Sequence, residues 1–207
     1  NPAVDRVEVL TELKEREHAL PVRVLNAAAL TVGLKGQQLT DMEALKQAGA
    51  VGFTDDGMPV KDVKLVVEAM RKAKQLGVPL SFHEEDPELI GSPGINAGEV
   101  AKKIGVKGAL ALAEQTLIAR DCLLALETGA VINIQQSRSR VSVELIRMMK
   151  GLGAKVYAEV TPQHFSLNEN IGMERGAVAK VNPPLRTEED RYALIRGLKD
   201  HVIDMLA

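Results

Sequence analysis

The chain has 207 residues, 45% of them hydrophobic and 26% charged, which supplies one sizeable core and excludes a disordered or fibrous protein. A net charge of −2, with two Tyr, three Phe and no Trp, offers nucleic acid neither a basic surface nor a stacking platform. The single cysteine, Cys122, excludes an internal disulfide framework and a cysteine-built zinc site. It fits a reducing compartment, so the cytoplasm is the expected location. No apolar run approaches the roughly 20 residues that span a bilayer, and no basic-then-apolar leader opens the chain, so no membrane role is expected.

In chain order, the pattern predicts a helix over 4–19, a strand over 22–30, a helix over 40–48 and a strand over 51–54. Val63, Val66, Val67, Met70 and Ala73 recur at intervals of three and four and share one helix face, with Gly77 as a C-cap. A strand over 78–83 follows, then a helix over 108–128, a strand over 131–135, a helix over 141–152, a strand over 155–160, a helix over 188–199 and a strand over 202–207. Short β-rich runs alternating with helical segments are the signature of βα units around a parallel sheet. Two stretches resist the scheme, 84–98 and 161–186, both rich in Pro or Gly and both directly after a strand. In a βα barrel the loops leaving the C-terminal strand ends build the active site, which gives these stretches a functional reading. Neither a repeat nor a linker divides 1–207, so a single domain is expected.

Several residues at predicted strand ends carry chemistry. Asp55 and Asp56 precede Gly57; they read as an Asp-Gly turn or as acids facing the mouth of a barrel. His83 ends the next strand and is followed by Glu84, Glu85 and Asp86; it reads as a hydrogen-bonded structural residue or as a ligand. A carboxylate and an imidazole converging there are donors that zinc accepts, and metal-bound water is a nucleophile suited to amide hydrolysis. Asn133, Gln135 and Gln136 end the fourth strand, and Gln163 and His164 follow the fifth; amides hold substrates but are poor zinc ligands. In Val181-Asn182-Pro183-Pro184-Leu185-Arg186 the prolines stiffen the loop, Asn182 offers a donor and an acceptor, and Arg186 either forks onto a carboxylate or lies at the surface.

Taken together, the sequence resembles the bacterial class I dihydroorotases of the zinc-dependent amidohydrolase superfamily, from end to end. The resemblance is carried by Asn1-Pro2-Ala3-Val4-Asp5, Gly33-Leu34-Lys35-Gly36, Leu39-Thr40-Asp41-Met42, Gly52-Phe53-Thr54-Asp55-Asp56-Gly57, His83-Glu84-Glu85-Asp86, Ser142-Val143-Glu144-Leu145-Ile146-Arg147, Ala158-Glu159-Val160-Thr161-Pro162 and Lys180-Val181-Asn182-Pro183-Pro184-Leu185-Arg186. It implies a TIM-type (β/α)8 barrel of the amidohydrolase kind that interconverts N-carbamoyl-L-aspartate and L-dihydroorotate in de novo pyrimidine biosynthesis. One or two zinc ions are implied. Asp56 matches a metal-binding aspartate, His83 a histidine ligand of the second metal, and Asn182 an asparagine near the substrate. For Arg186 a structural role is expected.

The departures from the family pattern matter as much. Asn133 and Gln136 stand where the family carries histidines, the second of them a zinc ligand, and Gln163 stands for a histidine before His164. Arg138 and Arg140 bring two guanidinium charges near a second dication's place, or else hold substrate carboxylates or face solvent. The family's His-x-His pair belongs before Asn1 and its general-base aspartate beyond Ala207. With about six strands for an eight-stranded barrel, the expectation is that the natural protein extends at both ends, lacking here its first strand segment and last barrel segment. Two functional readings follow: a dihydroorotase, or an inactive relative that survives as a structural partner of aspartate carbamoyltransferase. A homodimer or a complex with that enzyme is the expected assembly. A hydantoin- or allantoin-hydrolysing relative fits the Asp56 and Asn182 motifs less well.

Overall fold

A computed structural model describes residues 2–17 and 19–207; Asn1 of the opening motif and His18 of the first predicted helix lie outside the described residues. Six strands form one sheet in chain order: β1 (Ala27–Ala29), β2 (Gly52–Thr54), β3 (Leu80–Phe82), β4 (Val131–Ile134), β5 (Lys155–Val160) and β6 (Met205–Leu206). All neighbours are parallel, with Ala28 opposite Phe53, Thr54 opposite Ser81, Ser81 opposite Asn133, Asn133 opposite Tyr157 and Glu159 opposite Met205. Parallel neighbours in strictly sequential order are the wall of a (β/α) barrel. Among the described residues β1 and β6 end the sheet, so the wall is a partial barrel.

Helices connect the strands: α1 (Val7–Glu17), α2 (Met42–Gln47), α3 (Val63–Leu76), α4 (Glu99–Lys103), α5 (Leu112–Thr128), α6 (Arg140–Gly151), the short α7 (Pro162–Ser166) and α8 (Ile171–Arg175), and α9 (Glu188–Lys199). Their ends follow local chemistry. Asp62 accepts the Lys64 amide at 2.9 Å to start α3, and Gly77, at φ 66°, closes it in the left-handed conformation that favours glycine. Thr187 and Asp190 form a reciprocal capping box at α9. Strand alternation divides the sheet into two faces. Leu80, Ile132, Ile134, Val156, Ala158 and Val160 are buried in one apolar cluster with Met70, Ile118, Ile146 and Leu194 of the helices. The intervening Thr54, Ser81, Asn133 and Glu159 are half-buried and polar.

Some boundaries differ from the sequence expectation. The strand expected over 22–30 contracts to Ala27–Ala29, because Val22 and Leu25 are exposed and find no core. The strand expected over 202–207 contracts to Met205–Leu206, since Val202 and Ile203 turn inward and donate their amides to the Gly197 carbonyl at the end of α9. Helix α5 begins at Leu112 rather than 108. Gly108 packs so closely on Asn96 that an added Cβ would lie 2.4 Å from the Asn96 carbonyl oxygen, and Ala109 bridges to Ile90 and Asn96. The two irregular stretches hold a 3-10 turn at Pro87–Leu89, and α7, α8 and a second 3-10 turn at Gly176–Ala179.

Candidate active site

The two acids after β2 diverge. Asp55 is buried and accepts the Leu30 and Thr31 amides, each at 2.9 Å, as well as the Thr31 hydroxyl. Burial pushes its carboxyl up, and the hydrogen bonds from Thr31 and Leu30 only partly offset that. Asp55 ties β1 to β2, and its carbonyl accepts the Met58 amide at 2.8 Å to close the turn over Gly57. Asp56 points outward, with Oδ1 4.0 Å from Nδ1 of His83. The acid and the imidazole therefore meet at the C-terminal rim of neighbouring strands, as the sequence analysis expects.

His83 is held from its other side as well. Its Nε2 lies 3.6 Å from Oε2 of Glu85, a residue that the sequence marks only as one of three acids in a row. The same oxygen accepts from Asn182 Nδ2 at 3.4 Å, and Glu85 Oε1 accepts from Arg138 Nη2 at 3.2 Å. Burial raises the Glu85 carboxyl, but the nearby His83 ring and the Arg138 charge outweigh it and hold the group below the usual carboxylate range. Glu85 is thus the junction at which His83, Asn182 and Arg138 meet.

Arg138 is fully buried, not solvated. Its guanidinium donates to the carbonyls of Glu84 at 3.2 Å and Gln136 at 3.3 Å, and Nε stands 3.4 Å from Oε2 of Glu114. The other Glu114 oxygen accepts the Arg138 backbone amide at 3.1 Å. Glu114, a buried carboxylate on α5, escapes sequence reasoning; its one signal is an acid flanked by apolar helix positions. Gln136 occupies the left-handed region at φ 49°, a backbone conformation costly for a side-chain-bearing residue and typical of functional turns. It joins the junction through its carbonyl oxygen.

A second buried acid pair lies behind His83. Glu84 is fully buried near Asp121, which Arg120 grips with two hydrogen bonds of 2.7 and 2.8 Å. Burial first, and the Asp121 charge second, push the Glu84 carboxyl well up. On the polar face of the sheet Asn133 donates to Ser81 Oγ at 3.0 Å and Glu159 Oε2 at 3.3 Å. Thr54 Oγ1, Asn133 Oδ1 and Gln135 Oε1 are buried without a hydrogen-bond partner among the described residues, so this face offers unmet polar groups.

His164 and Arg186 order the loops. His164 is buried, its Nε2 3.0 Å from the Pro183 carbonyl and its Nδ1 against the Thr161 hydroxyl, and burial lowers its pKa. It pins the segment that carries Asn182, while Gln163 lies half-buried on α7. Arg186 is neither at the surface nor on a carboxylate: it donates to Asn96 Oδ1 and the Ala109 carbonyl, both at 2.6 Å, and to the Leu110 carbonyl at 3.1 Å. Its expected structural role is met by clamping the segment before α5.

The fold places the chain in a known class. The structure is similar to L-hydantoinase (dihydropyrimidinase) from Arthrobacter aurescens, with a TM-score of 0.80 and 21% identity over 100% of this chain and 47% of that one. D-hydantoinase from Thermus sp. follows with a TM-score of 0.73 and 20% identity over 98% of this chain and 46% of that one. The fold is thus the one these hydantoinases share. A family model described as dihydro-orotase-like matches residues 1–141, and the chain belongs to that family. Among curated relatives it is 53% identical to the dihydroorotase of Clostridioides difficile and 51% identical to that of Clostridium acetobutylicum, over 207 residues in each case. It covers 49% of each, so the chain spans about half the length of the curated relatives it matches.

Zinc binds histidine nitrogen and carboxylate oxygen at about 2.0–2.2 Å in tetrahedral geometry, so two donors on one ion stand roughly 3.3–3.6 Å apart. The 4.0 Å between Asp56 and His83 is a few tenths of an ångström wider than that, a gap that a small turn of the exposed Asp56 side chain closes, so the pair suits one such ion. No group of three His, Cys, Asp or Glu able to hold a metal occurs among the described residues, and position 136, where the resemblance implies a histidine ligand, is a neutral amide. A second ion does not fit these residues.

Proposed function

We propose that this chain is the central part of a dihydroorotase, which reversibly cyclises N-carbamoyl-L-aspartate to L-dihydroorotate. The observation that carries the reading is the approach of Asp56 and His83 at the strand ends of a dihydro-orotase-like barrel, beside Asn182. In this reading Asp56 and His83 hold one zinc ion, which when bound polarises the cyclic amide carbonyl and acidifies water. Glu85 faces the Nε2 side of the His83 ring at 3.6 Å, and Nδ1 is directed at the Asp56 side. Asn182 gives one amide hydrogen to Glu85 and keeps its other hydrogen and its carbonyl for the ureido or carboxylate groups of the substrate. The rest of the ligand set and the general-base aspartate belong to the part of the relatives' length that this chain does not span.

The protein acts on a small molecule, works in the cytoplasm within pyrimidine synthesis, and assembles as a homodimer or with aspartate carbamoyltransferase. No helix among the described residues is long and apolar enough to cross a membrane. The test is dihydroorotate hydrolysis by the full-length protein, paired with metal analysis. Turnover that is lost on chelation, restored by zinc and abolished by Asp56→Asn supports the reading. Zinc-free protein without turnover favours the inactive structural partner, for which Gln136 and Gln163 are the supporting residues.

A further inference from the structure

Arg138 lies two residues past the position at which the resemblance expects a zinc-binding histidine. Its guanidinium is fixed by groups from separate segments: the carbonyls of Gln136 and Glu84, the Glu85 carboxylate at 3.2 Å and the Glu114 carboxylate at 3.4 Å. A fully buried fork with that many acceptors does not swing away to admit another charge. Through Glu85 it reaches the Nε2 side of His83, opposite Asp56.

We infer that Arg138 is a built-in cation that replaces a second metal ion, so that the site holds one divalent ion, on the Asp56 side of His83, and excludes another. This rests on the zinc reading above. Two observations support it independently of each other. The donor at 136 is a neutral amide that binds zinc weakly. The carboxylate nearest to His83 Nε2, that of Glu85, is already engaged by the guanidinium, and a dication placed beside a buried guanidinium is repelled in a medium that screens poorly. Arg138 is a positioning residue here: it acts on His83 and Asn182 through Glu85.

The test uses the full-length protein, stripped with a chelator and loaded with Co²⁺, with ions per chain counted by atomic emission and coordination followed by cobalt absorption. The expected counts are one for the wild type, one for Gln136→His, one for Gln136→His/Arg138→Lys and two for Gln136→His/Arg138→Gln. Two ions in the wild type, or in Gln136→His with Arg138 in place, overturn the inference and leave the zinc reading standing. A folded Gln136→His/Arg138→Gln that still holds one ion also overturns it. Should Arg138→Gln prevent folding, Gln136→His decides alone: one ion supports the inference and two overturn it. No ion in the wild type overturns the zinc reading and, with it, the inference that one ion is held.

Discussion

The two faces of the sheet are built from the same strands and do opposite work. On one, Leu80, Ile132, Ile134 and Val156 vanish into an apolar cluster with the helices. On the other, Ser81, Asn133 and Glu159 form a polar row that runs up to His83, Glu85 and the buried Arg138. The apolar face gains free energy with every contact, because removing its surface from water is favourable whatever the partner. The rim gains only where each charge meets an opposite one, because a buried unpaired ion costs several kcal/mol. Stability is therefore spread evenly over the first face and concentrated in a few residues of the second.

That contrast is open to direct attack. The largest expected effect comes from Arg138→Met, which leaves Glu85 and Glu114 buried without their cation; unfolding in urea should show a loss of about 3–5 kcal/mol. A loss under 1 kcal/mol would mean that these carboxylates take up protons or water instead. Ile134→Ala, a cavity in the apolar face, should cost about 2–5 kcal/mol by the same measurement while leaving cobalt stoichiometry of the full-length protein unchanged. Ser81→Ala removes one hydrogen bond from the half-buried polar row and should cost no more than about 1.5 kcal/mol.

The smallest effect concerns Cys122, buried in the apolar cluster on α5. Burial first, with the Glu84 and Asp121 charges behind it, pushes its thiol up to about 12, far above neutral pH. The folded protein should therefore leave Cys122 unmodified by a thiol-disulfide reagent at pH 8, with reaction appearing only as the chain unfolds. Rapid modification of the native state would show that α5 opens and that the acid pair Glu84–Asp121 is solvated.

Two arginines show the contrast within a single turn of chain. Arg138 is buried among three acceptors and the Glu114 carboxylate, whereas Arg140 is exposed and pairs with Glu189 at 3.0 Å. Asp55 and Asp56 repeat it, one knotted to β1 and the other facing His83. In both pairs, residues of one chemical type and nearly one position divide between the site, Arg138 and Asp56, and its surroundings, Arg140 and Asp55.

From the sequence by itself came what local chemistry and resemblance carry: the alternation of strand and helix, the cap at Gly77, the family motifs, and the meeting of Asp56 with His83. Those signals survive because periodicity, turn residues and strand-end position are properties of neighbouring residues. The tertiary structure decided which charges are buried and with whom, and it alone showed Glu85 as the junction, Glu114 as the counter-charge, His164 as the pin of the Asn182 loop and Arg186 as a clamp on carbonyls. Each of those assignments pairs residues that are distant in the chain, such as Glu85 with Arg138. The energy of a buried charge depends on the partner that packing brings to it, and no window along the sequence contains that partner.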